Sequence, residues 1–81
     1  MILSEAIELA YRFLNDDSLK ITTYREFDDK FLFSYELKDG SPLFDNSMIG
    51  IDKSSKEVSY YPITEHFEEI NKVQAIKIDT E

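Results

Sequence analysis

Phe31-Leu32-Phe33-Ser34-Tyr35-Glu36-Leu37 is the stretch that decides the fold of this 81-residue chain. Phe31, Phe33, Tyr35 and Leu37 recur at every second position, the spacing that lines up side chains on one face of a β-strand. Aromatic and branched residues at that period mark a strand with one side on a core. Just upstream, Leu19, Ile21 and Thr23 alternate with Lys20, Thr22 and Tyr24, and the run continues to about Phe27. Asp28-Asp29 between the two runs reads as a turn, so the pair predicts an antiparallel hairpin.

Downstream, Asp39-Gly40-Ser41-Pro42 opens a loop that runs to Ser47. Met48 to Ile51 reads as a third strand, Lys53-Ser54-Ser55-Lys56 as a tight turn, and Glu57 to Tyr61 as a fourth strand, which Pro62 ends. Thr64 is placed to cap a second, short helix with Phe67, Ile70 and Val73 facing inward. Ala75-Ile76-Lys77-Ile78 reads either as a short strand or as the tail of that helix.

Ahead of the strands, Ser4 is placed as an N-cap, with Glu5 favourably set against the helix dipole. Ala6, Leu9, Ala10, Phe13 and Leu14 follow at three- and four-residue spacing, with Glu5, Glu8 and Arg12 on the other side. Residues 5–14 therefore read as an amphipathic helix. Asn15-Asp16-Asp17-Ser18 breaks it, because short polar side chains compete for backbone hydrogen bonds. The order is α-β-β-β-β-α, with a last β as the open alternative. A sheet with one apolar face needs a cover, and the first helix, joined in one arrangement by the second, supplies it. The expected fold is an α+β two-layer sandwich.

Composition limits what such a fold does. With 42% apolar and 14% aromatic residues, the chain has enough for one compact core and reads as a single domain over 1–81. Seventeen acidic residues against nine basic ones leave a net charge of −8. That balance repels nucleic acid and anionic membrane, and it steers a basic partner inward. No run is long and apolar enough to span a bilayer, and the Met1–Glu5 start lacks the basic region of a signal peptide. Without cysteine there is no disulfide, thiolate metal site or thiol nucleophile in the chain. The expected location is the cytoplasm.

Equipment for catalysis is sparse. His66 is the single histidine, and His66-Phe67-Glu68-Glu69 offers too few ligands for zinc. No serine sits in a nucleophile-elbow pattern. The acid pairs Asp16-Asp17, Asp28-Asp29 and Glu68-Glu69 fall at a helix end, in a turn and on a helix's outer face, where solvent keeps both members ionised. The oxygens of the 39–47 loop lack EF-hand spacing, and two isolated glycines build no phosphate loop. No enzyme activity, metal or cofactor is expected. Leu43-Phe44, flanked by Asp39 and Asp45, reads either as an apolar anchor ringed by acids or as a plug for one end of the core. Tyr24, Tyr61 and Tyr11 are candidate surface aromatics, and aromatics with acidic neighbours suit a protein-binding face.

Ile49-Gly50-Ile51-Asp52-Lys53-Ser54-Ser55-Lys56-Glu57-Val58, followed by Pro62 and the Phe67–Ile70 helix, resembles the YrhB-type family of small bacterial proteins (immunity protein 35 type). That family is classed among the immunity proteins of polymorphic toxin systems. The likeness extends to Ala6–Leu14 and Phe31–Tyr35. One position departs from it: Lys56 stands where the family usually holds Gly, so a turn with positive φ would carry a lysine at a cost. The resemblance lends no catalytic residue. It implies a small cytoplasmic protein, monomer or weak dimer, that blocks a basic toxin domain by direct binding. The residues expected at that contact are Asp28, Asp29, Asp39, Phe44 and Asp45, on the two loops that interrupt the sheet. The alternative is a regulatory or chaperone-like module that holds peptide segments at a sheet edge.

Overall fold

The computed structural model describes residues 1–41 and 47–78. It is an α+β fold: α1 (Leu3–Leu14), β1 (Leu19–Glu26), β2 (Lys30–Leu37), β3 (Ser47–Asp52), β4 (Val58–Pro62), α2 (Phe67–Ile70) and β5 (Ile76–Lys77). The strands form one antiparallel sheet in the order β4-β3-β2-β1-β5. The last segment is thus a strand, and it pairs beside β1 through Thr23 with Lys77 and Tyr24 with Ile76.

The central hairpin forms as the alternation requires. Phe31 and Phe33 are buried on one face with Ile21, Ile49 and Ile51, and the α1 residues Ala6 and Ala10 cover them. The two alanines let the helix backbone approach the sheet closely. Asn15 ends α1 in the left-handed conformation (φ 48°), its N–H donating to the Tyr11 carbonyl. The N-terminal cap differs from expectation: Ile2 is the cap residue and Ser4 lies inside the first turn. Met1 and Leu3 pack on the core, so their burial pulls the helix start forward past the serine.

The sheet is apolar on both sides. Leu32, between the two phenylalanines, belongs to a second cluster with Met48 and Ile70, edged by Phe27, Tyr61 and Ile63. Successive strand residues point to opposite faces, so α2 covers the face that α1 leaves open and does not share α1's side. Gly50 belongs to this second face: a Cβ there would lie 3.3 Å from both Leu32 Cδ2 and Tyr61 Cδ1. Thr64 does not cap α2; His66 holds that position without a side-chain cap bond. A four-residue helix buries only one side chain well. That side chain is Ile70, and Phe67 stands 63% exposed.

Strict alternation fails in β1. The register shifts between Ile21 and Thr23, so Thr22 is an extra residue, a β-bulge. Ile21 then opposes Tyr35 and Tyr24 opposes Phe33, which places Tyr24 on the same face as Ile21. The Ile21 N–H donates to the Tyr11 hydroxyl at 3.0 Å, tying α1 to β1 beside the bulge. Tyr24, Tyr61 and Tyr11 are all partly buried, which removes them as free surface aromatics.

Candidate partner-binding surface

Three turns in this chain share one local device. Asp16, Asp39 and Asp52 each accept the backbone N–H of the serine two residues on, at 2.9, 2.8 and 2.8 Å. Such Asx turns are what Asp-x-Ser sequences favour. The Asp52 turn is the fullest, since its carboxylate also accepts from the Ser54 hydroxyl and the Ser55 N–H. Those bonds, led by the Ser54 hydroxyl, lower the Asp52 pKa to about 2. Lys56 closes the turn at φ 62°, the left-handed conformation that glycine takes more easily, and its ammonium reaches Glu5 of α1 at 3.3 Å.

This β3–β4 turn lies against the β1–β2 turn, where the Lys53 N–H donates to the Asp29 carbonyl at 2.9 Å. One end of the sheet therefore gathers Glu26, Asp28, Asp29, Asp52 and Glu57, all exposed. Two lysines at this end are drawn inward. Lys53 pairs with Glu26 at 2.8 Å over the Phe31 ring. Lys30, its side chain only 17% exposed, bridges Glu69 at 3.1 Å and Asp29 at 3.3 Å and lies over the Phe27 ring. Elsewhere Arg12 pairs with Glu8, Lys20 with Glu36, and the Arg25 guanidinium donates to the Val73 carbonyl. Asp28, Glu57, Glu65 and Glu68 enter no ion pair among the described residues.

Around Lys30 the second face carries a small polar cluster. The Tyr61 hydroxyl donates to Glu69, and the His66 ring stacks on Tyr61 with centroids 4.0 Å apart. Burial and then the bond to Glu69 raise the Tyr61 pKa. Burial acts to lower that of Lys30, but hydrogen bonds to Glu69 and Asp29 outweigh it and the net shift is upward. Glu69 is lowered, first by Tyr61 and then by Lys30. The lysine therefore stays protonated, the phenol keeps its proton and the carboxylate stays ionised. Those states hold α2 on the sheet. A shallow groove of about 230 Å³ beside them is lined by Lys30, Gly50, Asp52, Ser59 and Tyr61. Among the described residues no group of three or more His, Cys, Asp or Glu side chains is placed to hold a metal.

The residues expected at a partner contact do not form one patch. Asp28 and Asp29 sit at the end just described, and Asp39 lies at the other end of β2, roughly 25 Å away by strand length. Asp39 is engaged in its own Asx turn, and the Ser41 N–H leads in lowering its pKa. Phe44 and Asp45, and with them the question of Leu43, lie outside the described residues. Among the described residues a large apolar side chain with acidic neighbours is visible at Phe67, with Glu65 and Glu68 exposed around it. The signal for it was present in His66-Phe67-Glu68-Glu69, but helical spacing assigned Phe67 to the core. No family model, curated protein or solved structure matches this chain.

Proposed function

We propose that this protein is a small cytoplasmic binding protein that docks its acidic surface onto a basic partner. In line with the sequence resemblance, that partner is a bacterial toxin domain which the docking neutralises. One observation carries the reading: Lys30, Lys53, Lys56, Lys20 and Arg12 are each matched to a carboxylate of the same chain, while Asp28, Glu57, Glu65 and Glu68 face solvent. The excess of outward carboxylates produces a negative field that accelerates encounter with a positive surface. Phe67 adds a large apolar side chain within that field, the kind of anchor on which affinity concentrates.

The test is co-expression with the toxin domain encoded beside this chain's gene, scored as survival, followed by stopped-flow mixing of the two purified proteins. Rescue is expected, with an association rate that falls steeply with salt. Asp28→Lys combined with Asp29→Lys should slow association and flatten the salt dependence. Phe67→Ala should mainly speed dissociation. No rescue, or an on-rate indifferent to salt and to charge reversal, would reject the reading.

A further inference from the structure

We propose that the free edge of β4 is a self-association strand, on which a second copy of this chain adds antiparallel with Tyr60 opposite its counterpart. The proposal is independent of the toxin reading and rests on the geometry of the edge. Among the described residues β4 ends the sheet and pairs only with β3. The Asp52 N–H donates to the Glu57 carbonyl, which fixes that pair as facing inward. Antiparallel alternation then turns Ser59 and Tyr61 toward β3 and points the backbone groups of Val58, Tyr60 and Pro62 outward. Pro62 has no N–H, and an outward position on an edge strand is where that costs no ladder bond.

The outward groups are self-complementary. With Tyr60 on the two-fold axis, the two tyrosines exchange both N–H···O=C bonds. Each Val58 N–H then donates to the other copy's Pro62 carbonyl. Pro62 has no N–H to return to the other copy's Val58 carbonyl, so each end of this ladder carries a single bond. Of the usual guards of an edge strand, Val58-Ser59-Tyr60-Tyr61 carries no charged side chain and no bulge, and a proline, Pro62, stands only at the strand's end.

Side chains at the edge agree with this. Glu5 meets Lys56 and Phe13 meets Tyr60, so α1 runs parallel to β4 with one flank along the free edge. Phe13 and Tyr60 form an edge-to-face pair 4.9 Å apart yet remain 37% and 52% exposed. A two-fold axis between antiparallel strands lies perpendicular to the sheet, so both copies of α1 fall on one side. The two aromatic pairs then close over the junction. At −8 per chain the two copies repel overall, but β4 itself carries no charged side chain, so no like charges meet at the junction. The two Glu57 residues lie at opposite ends, roughly 20 Å apart by strand rise, beyond a screening length of about 8 Å.

Sedimentation velocity over rising concentration, at low and high salt, tests the proposal. A monomer–dimer equilibrium is expected that tightens with salt as net repulsion is screened, opposite in sign to toxin binding. Tyr60→Glu, which sets like charges directly opposite each other, should weaken the dimer about tenfold or more, with the monomer's thermal melt lowered only by the loss of the pair with Phe13, as in Phe13→Ala. The chain has no cysteine, so Tyr60→Cys gives a clean crosslink: a hydrogen-bonded pair has Cα atoms about 5.5 Å apart, within disulfide reach. Asp17→Cys, exposed in the loop before β1, should not crosslink. A monomer at millimolar concentration, a dimer indifferent to Tyr60→Glu, or equal crosslinking through Asp17→Cys would overturn the proposal. A chain that stays monomeric but loses the toxin on Tyr60→Glu would also overturn it, and would assign the edge to a strand of the toxin.

Discussion

Lys30 on β2 and Glu69 on α2 meet across the second face of the sheet, with Nζ 3.1 Å from Oε1. Tyr61 of β4 donates to the same carboxylate oxygen, so one glutamate fastens a helix to two strands. Four residues of helix are far too few to persist without tertiary support.

Glu69→Ala should therefore release α2 locally. Hydrogen exchange at Ile70, Asn71 and Val73 is expected to accelerate strongly, with α1 and β2 unchanged. The Glu69 pKa is held below the usual carboxylate range, first by Tyr61 and then by Lys30. Its fastening is thus complete above that range and is lost as pH falls through the lowered value. Exchange profiles at falling pH should show α2 opening before the central hairpin.

Lys56 adopts φ 62° where glycine carries no Cβ penalty. Lys56→Gly should stabilise the protein by about 0.5–1 kcal/mol, the relieved strain exceeding the lost, largely exposed pair with Glu5. Urea denaturation measures it. Lys56→Ala loses the same ion pair and keeps the strain, so it should be slightly destabilising.

Both faces of β2 are core, and truncation on either should show it. Phe33→Ala is expected to cost about 3–5 kcal/mol and Leu32→Ala about 2–5 kcal/mol. Domains have total stabilities of roughly 5–15 kcal/mol, so either variant approaches unfolding. Phe67→Ala, on an exposed side chain, should leave the urea midpoint nearly unchanged.

Asp52 carries the acid sensitivity of the β3–β4 turn. Its pKa is depressed to about 2 by the Ser54 and Ser55 donors, so its contribution is present above the ordinary aspartate range and lost as pH falls toward 2. Thermal melts between pH 5 and 2 should fall steadily, and Asp52→Asn should flatten part of that slope.

Much of the fold was legible because the central hairpin obeys a simple period. Phe31 and Phe33 announced β2, the Asp28-Asp29 turn fixed its partner, and the apolar spacing of Ala6 to Leu14 announced α1. What stayed hidden was set by contacts distant in sequence. Leu32 reads as an intruder in an alternating strand until Ile70 arrives to cover it. The side on which Tyr24 falls depends on a bulge that no residue of β1 advertises. Capping by Ser4 and Thr64 was overruled by burial of Met1 and Leu3 and by the stacking of His66 on Tyr61. The candidate surface was half legible. Asp28 and Asp29 are exposed as expected, but separation of the two loops by the full length of β2 follows only from strand pairing. Phe67 was missed because a four-residue helix does not obey the amphipathic rule.

Thr22 has one more meaning. Striking it from the chain would leave Leu19, Ile21, Tyr24 and Glu26 facing as they do now, in unbroken alternation, since it is the one β1 residue without a partner in β2. What such a shortened strand would forfeit is the carbonyl that receives the Ile78 N–H at 2.8 Å. The supernumerary residue thus serves the chain's last strand: it is a berth for the C-terminal segment, inserted more than fifty positions ahead of the guest it receives.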